Sequence, residues 1–436
     1  MTFASSKKKI KMMNTKVKRQ TPKTLLICGL GLLNFIPTYA QESDSIRLER
    51  LESKVSKLEV LNGLKISAYI QGQFQYGQEN ASLKVGAPNT DLTEDFNRMG
   101  IRRGRLKFTY EKSIATAVFQ MDMTEKGFGI KDVYLQVKDS EWSASSVKIG
   151  VFNRPFGYEI ERTSSSRESP ERATIITNLF PEERDLGAIM TLQAKKSSPW
   201  HFLKLDAGLF AGNGVKSDIK NKKDFISHLS ANKTINEKIQ LSVGISYYQG
   251  TVYQGSENRY TFSSDAFIRN SDATNIGTFA KREYFGVDAQ FSFTSNLGLT
   301  SLSGEFITGT QPGGKDGSKS PNSSSVGDAD MYIRSFNGGY LSFVQDFEKV
   351  PFSAVIKYDW YDPNTKISKN DIGLNETGKG DIEYQTIGFG LLWKINDALR
   401  ITAYYDLIKN ETSENLSGFE KDIKDDVFTL RLQYKF

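Results

Sequence analysis

The chain has 436 residues, with 57 Lys and Arg against 51 Asp and Glu, two histidines, one cysteine and 12 % aromatic side chains. Its mean hydropathy is negative and no apolar run reaches 18 residues, which excludes a helical membrane protein, since each span needs about 20 apolar residues. One cysteine excludes a disulfide framework and a cysteine-ligated metal.

In chain order, Lys7 to Lys23 carry eight basic residues and no acid, the apolar run Leu25 to Ile36 follows, and Thr38-Tyr39-Ala40 ends on a small residue. This pattern predicts a signal peptide over 1–40 cut after Ala40, with Met12 or Met13 as alternative starts to Met1. Its apolar stretch is too short for a membrane anchor. Removing it leaves 57 − 8 = 49 basic residues against 51 acids, so the basic excess belongs to the leader and no nucleic-acid partner is expected. Cys28 leaves with it, and the remainder has no thiol.

Residues 41–63 carry Leu48, Leu51, Val55 and Leu58 three and four apart among charges, which predicts an amphipathic helix of about two heptads. It reads either as a short oligomerising coiled coil or as a solvated helix.

From Leu64 to Phe436 the period is two. In the first segment Ile66, Ala68, Ile70, Phe74 and Tyr76 share one face and Ser67, Tyr69, Gln71, Gln73 and Gln75 the other; in the last, Phe428, Leu430, Leu432, Tyr434 and Phe436 alternate with Thr429, Arg431, Gln433 and Lys435. Sixteen such segments start near 66, 101, 114, 130, 145, 186, 201, 225, 238, 281, 298, 337, 351, 382, 398 and 426. Short connections such as Lys112-Ser113 and Phe347 to Val350 alternate with long polar ones: Gly77 to Gly100, Asn153 to Asp185, Gln249 to Ala280, Thr308 to Phe336, Tyr361 to Asp381 and Lys409 to Asp425. An even number of strands with that alternation predicts an all-β fold: a closed transmembrane antiparallel barrel over 64–436, in the outer membrane of a didermic bacterium, short turns on the periplasmic side. About sixteen strands enclose a lumen wide enough for water rather than one filled by side chains. Trp142, Trp200, Trp360, Trp393, Tyr404 and Tyr405, near strand ends, suit interfacial girdles or ordinary packing. The aromatic end at Phe436 resembles the signal that barrel-assembly machinery recognises.

The inner face is read from the second strand, where Leu106, Phe108 and Tyr110 take the lipid side and Arg103, Arg105 and Lys107 the lumen. Cations about 6.6 Å apart along a strand are tolerable only in water or beside counter-ions. Arg400 and Arg431 lie on the two strands that close beside the first, so this wall is expected to be basic, with Asp122, Asp206, Asp288, Glu305, Asp359 and Asp406 available as inward acids elsewhere. The loop Asn153 to Asp185 is the candidate to fold inward and constrict the lumen. It holds Arg154, Arg162, Arg167, Arg172 and Arg184 and seven acids, so its arginines contact either a solute or their own neighbours.

An enzyme would need a positioned base, and the histidines are His201 at a strand start and His228 mid-strand beside Ser227 and Ser230. No Walker loop, metal-ligand cluster or dinucleotide fingerprint is present, and no cofactor is expected. A passive diffusion pore for small hydrophilic solutes is the expected function; a surface adhesin or structural barrel is the alternative.

Met99 to Tyr110, Gly150 to Gly157 and Asn178 to Gly187 resemble the phosphate-selective porin O and P family in its Bacteroidetes form. The resemblance implies a sixteen-stranded trimeric barrel that passes anions along an arginine-lined path, with the arginine ladder falling on Arg103 and Arg105. The chain departs from it in a constricting loop without lysine and in near neutrality.

Overall fold

The computed structural model of the chain describes residues 47–50, 53, 60–139, 141, 144–219, 221–263, 265–320 and 329–436. The expected signal peptide lies outside them, as do Trp142 and most of the segment 41–59. Residues 47–50 and 53 are helical and belong to a unit separate from the rest.

Alternating apolar and polar side chains give a strand one face for each environment, and the chain obeys this throughout. Among the described residues eighteen strands form one sheet: β1 (Leu64–Gly77), β2 (Phe96–Lys112), β3 (Ala115–Thr124), β4 (Gly127–Lys138), β5 (Ser146–Asn153), β6 (Arg184–Gln193), β7 (Leu203–Phe210), β8 (Asp224–Asn236), β9 (Ile239–Tyr253), β10 (Asn258–Ser263), β11 (Ala266–Ser271), β12 (Phe279–Ser295), β13 (Gly298–Gly313), β14 (Met331–Phe347), β15 (Phe352–Asp362), β16 (Tyr384–Lys394), β17 (Leu399–Asn410) and β18 (Val427–Lys435). Leaving out the hairpin β10–β11, 18 − 2 = 16 strands close a barrel of antiparallel neighbours. The seam is β1 against β18, and the Ala68 and Phe436 backbones exchange N–H···O bonds of 2.8 and 2.9 Å.

Each of the sixteen expected segments has its strand, the largest displacements being β2, which starts at Phe96 rather than 101, and β14, at Met331 rather than 337. The hairpin is what the periodicity missed. It sits in the connection after β9, and β10 pairs in parallel with the start of β14, where Tyr260 and Tyr332 stack at 4.2 Å. Short and long connections alternate as expected except between β3 and β4. That connection, at the long-loop end, is only residues 125–126.

The outer face carries Ile66, Ile70, Phe119, Ile149, Ile245, Phe285, Leu341, Phe389 and Leu432, all exposed. A continuous apolar wall of this kind is stable in lipid and not in water. Tyr404 corrects the girdle expectation: it is buried and turned inward against Val344, Val355 and Leu392. Adjacent residues of a strand face opposite ways, so Tyr404 and Tyr405 cannot share the lipid side.

In the connection 411–426, burial and then the neighbouring Asp422 and Asp426 push the Asp425 carboxyl up to about 7. Its Oδ1 meets no partner among the described residues. An unfolded aspartate titrates near 4 (~3.9), so the folded loop holds this proton more tightly; the stabilisation is complete below about pH 4 and is lost as pH rises through about 7. Amide exchange across 411–426, corrected for intrinsic rate, is expected to accelerate over that window, and Asp425→Asn should abolish the acceleration.

Candidate functional site

Residues 154–183 fold into the lumen. At the neck, Arg154 Nε meets Asp185 Oδ2 at 3.1 Å with both side chains buried, and Asp185 also accepts from the Gly212 amide. Beyond it the apolar residues, including the short helix Thr174–Leu179, turn to one side. Phe156, Ile160, Ile175, Ile176, Leu179 and Phe180 are fully buried against Phe210, Ile226, Tyr248, Tyr284, Ile307, Phe336 and Tyr361 of the β7–β15 wall. Gly286 makes room, since a Cβ there would stand 2.7 Å from the Phe156 ring. Burying such a side chain is worth about 1.5–3 kcal/mol, whereas a buried ion pair gains little net, so this apolar seam holds the loop. The loop thus folds inward as expected, and its apolar side chains pack the lumen on that side.

The inward acids of the same wall meet the loop. Glu305 Oε2 accepts from the Tyr158 and Glu159 amides at 3.2 Å each, Asp359 Oδ1 accepts from the Thr174 amide at 3.0 Å, and Lys357 Nζ reaches Glu159 at 2.7 Å. Asp288 meets His228 Nε2 at 3.0 Å. Each of these carboxylates gives an oxygen to backbone donors or neighbours, while Glu305 Oε1 is buried with no partner among the described residues.

The opposite wall, β17–β18–β1–β2, is basic. Between Gln71 and Gly72 of β1 the register with β2 slips by one residue, so Arg102 is extra. This β-bulge resets the alternation: Met99 and Ile101 face out before it, and Arg103 and Arg105 face in after it. Arg102 also reaches the lumen, where Nε and Nη2 bond both oxygens of Glu171 at 2.8 Å. Arg103 donates to Glu171 Oε2 at 2.9 Å and to Gln71 at 3.0 Å, Arg431 to Glu171 Oε1 at 2.9 Å and to Gln73, and Arg105 to Asp122 at 3.4 Å. Arg400 donates to the Arg167 carbonyl and to Gln433. Lys107, half-buried, lies nearer the short-turn end.

Four of the five loop arginines pair with acids. Arg154 meets Asp185; Arg162 forks onto Glu168 at 2.9 Å; Arg172 bonds Glu183 and the carbonyls of Glu159, Ile160 and Arg162, clipping the loop's two legs together; Arg184 bonds Asp132 and Glu183 at 2.8 Å. Arg167 differs: its side chain is buried and none of its three guanidinium nitrogens has a partner among the described residues.

Between loop and basic wall, at the arginines, lies a cavity lobe of about 250 Å³. That lobe is lined by Arg102, Arg103, Arg105, Lys131 and Arg172 against Asp122, Glu171, Glu182 and Glu183, five cations to four acids. Burial pushes the Glu171 carboxyl up, but Arg102, Arg103 and Arg431 outweigh it and hold it well below the usual carboxylate range. The alternation reading missed Arg102, Lys131 and the part played by Glu171. The signal for Arg102 was its own charge: unbroken alternation would put it in lipid, at a cost of about 2–4 kcal/mol at mid-membrane.

Gly157, at φ +61°, lets the loop turn onto Glu305, whose Oε1 would lie 1.7 Å from an added Cβ. Gly157→Ala is expected to weaken this attachment by about 1–3 kcal/mol. Exchange of the Tyr158 and Glu159 amides would rise while the β12–β13 ladder stays protected.

No family model and no curated protein sequence matches the chain. Among solved structures, the outer membrane channel DcaP of Acinetobacter baumannii aligns at TM-score 0.52 and 13 % identity, covering 86 % of this chain and 97 % of that one. OprB of Pseudomonas putida, in its high-pH structure, aligns at 0.55 and 12 %, covering 88 % and 97 %. An anion-selective porin from Comamonas acidovorans aligns at 0.51 and 10 %, covering 86 % and 99 %. At such identities the likeness is one of fold, and the fold of this chain is that of these outer-membrane barrels.

Proposed function

We propose that the protein is an outer-membrane porin, not an enzyme, giving passive diffusion to small anionic solutes, phosphate among them, past an arginine-bearing constriction. One observation carries this reading: Arg102, Arg103 and Arg105 line the cavity, with Arg431 beside them on Glu171, while Glu305 and Asp359 across the lumen accept from the loop's own amides. Fixed cations beside a water-filled passage lower the barrier for anions and raise it for cations. The likeness to porins, one of them described as anion-selective, supports the reading, as does the resemblance of Met99 to Tyr110 to phosphate-selective porins. Lipid contact by the apolar wall, delivery by barrel-assembly machinery through the strand ending at Phe436, and a homotrimer belong to the same proposal.

A surface adhesin or structural barrel is the second reading, favoured by the apolar half of the lumen, which narrows the passage. Planar-bilayer recording separates the two. Stepwise currents with a reversal potential on the chloride side, blocked by phosphate, are expected for the wild type. In Arg103→Ala/Arg105→Ala the reversal potential should move toward zero and the block weaken by about tenfold or more, the scale of one lost charge-assisted hydrogen bond. Absence of any steps would favour the structural barrel.

A further inference from the structure

Glu171 is held as a bound oxyanion is held. Its two oxygens accept four hydrogen bonds of 2.8–2.9 Å from the guanidinium groups of Arg102, Arg103 and Arg431, which approach from β2 and β18. Planar forks converging on two oxygens are the geometry by which arginine binds phosphate and carboxylate solutes. One carboxylate answers three cations there. The side chain is 22 % exposed and lines the arginine lobe of the cavity, so it can leave without unpacking a core.

The loop does not need this contact to stay in place. Its apolar seam and the Arg172 clip hold it from the other side. An independent observation points the same way: Arg167 is 2 % exposed, and its three guanidinium nitrogens have no partner among the described residues. A further buried guanidinium of the same loop, four residues from Glu171 in the chain, thus has nothing to bond among the described residues.

We propose that Glu171 is a built-in competitor occupying a site for a multivalent oxyanion, and that a solute of the phosphate or sulfate class displaces it from Arg102, Arg103 and Arg431 and takes Arg167 as a further partner. This rests on the anion-pore reading. A tethered occupant keeps the arginines bonded when no solute is present and weakens solute binding, so that an anion can leave as well as arrive. A pore conducts only if its sites release what they bind.

The test is phosphate block of single-channel current in KCl, with inorganic phosphate as the probe and heat-modifiable gel migration as the check that each variant forms its barrel. Glu171→Gln is expected to lower the half-blocking phosphate concentration by about tenfold or more, since no carboxylate must be displaced from charge-assisted bonds. Glu171→Asp, which keeps the charge but draws the carboxylate back by one methylene, should also block more tightly than the wild type. Adding Arg167→Met to Glu171→Gln should return most of the gain. An unchanged or weaker block in Glu171→Gln, with chloride preference kept, would overturn the proposal while leaving the anion pore intact. Tighter block in Glu171→Gln but not in Glu171→Asp would overturn it in favour of a simple loss of negative charge. If neither wild type nor variants prefer chloride or respond to phosphate, the pore reading fails first and the competitor with it.

Discussion

The apolar seam between residues 154–183 and the β7–β15 wall is the contact on which the interior depends. A sheet of sixteen strands closes around more space than its own side chains can fill, and here the loop brings Phe156, Ile175, Ile176, Leu179 and Phe180 to fill half of it. Because this packing is non-directional, it needs help to fix the loop's register. Backbone amides on Glu305 and Asp359 and the Arg172 clip supply it. The seam decides which half of the lumen stays polar, and the arginines line that half.

Electrostatics follows from the same placement. A barrel with acids on one wall and bases on the other has a transverse field but no strong preference by net charge. Once the loop's N–H groups cover Glu305 and Asp359, the arginine side is left facing the cavity. Arg105 beside Asp122 of the neighbouring β3 shows that the basic wall is itself partly neutralised. The residual positive character is therefore local to Arg102, Arg103, Arg431 and Arg167.

Much of the fold was legible because period-two alternation is enforced by the two solvents a barrel wall divides. The same rule failed where the backbone broke it, at the bulge that brings Arg102 inward beside Arg103, and where a strand pair left the wall, as in β10–β11. The site was legible on the strands and poorly so in the loop. Arginines and acids in 153–185 could be counted, but which pairs form depends on the loop's path, and that path is set by Ala173 to Phe180, an apolar run among charges that alternation does not interpret. Arg167, whose guanidinium has no partner among the described residues, looks in sequence the same as Arg162, whose guanidinium has one.

The seam between Ala68 and Phe436 has a kinetic consequence. These residues are 436 − 68 = 368 positions apart, yet their backbones bond directly. Such a contact has nearly the largest sequence separation the barrel allows, and the entropy of closing so long a segment must be met before the contact gives anything back. Neighbouring strands can zip along the chain as hairpins, but the cylinder closes only when the final residue arrives. Until then both β1 and β18 are open edges, ready to pair with any other strand, so closure and protection from misassembly are the same late event.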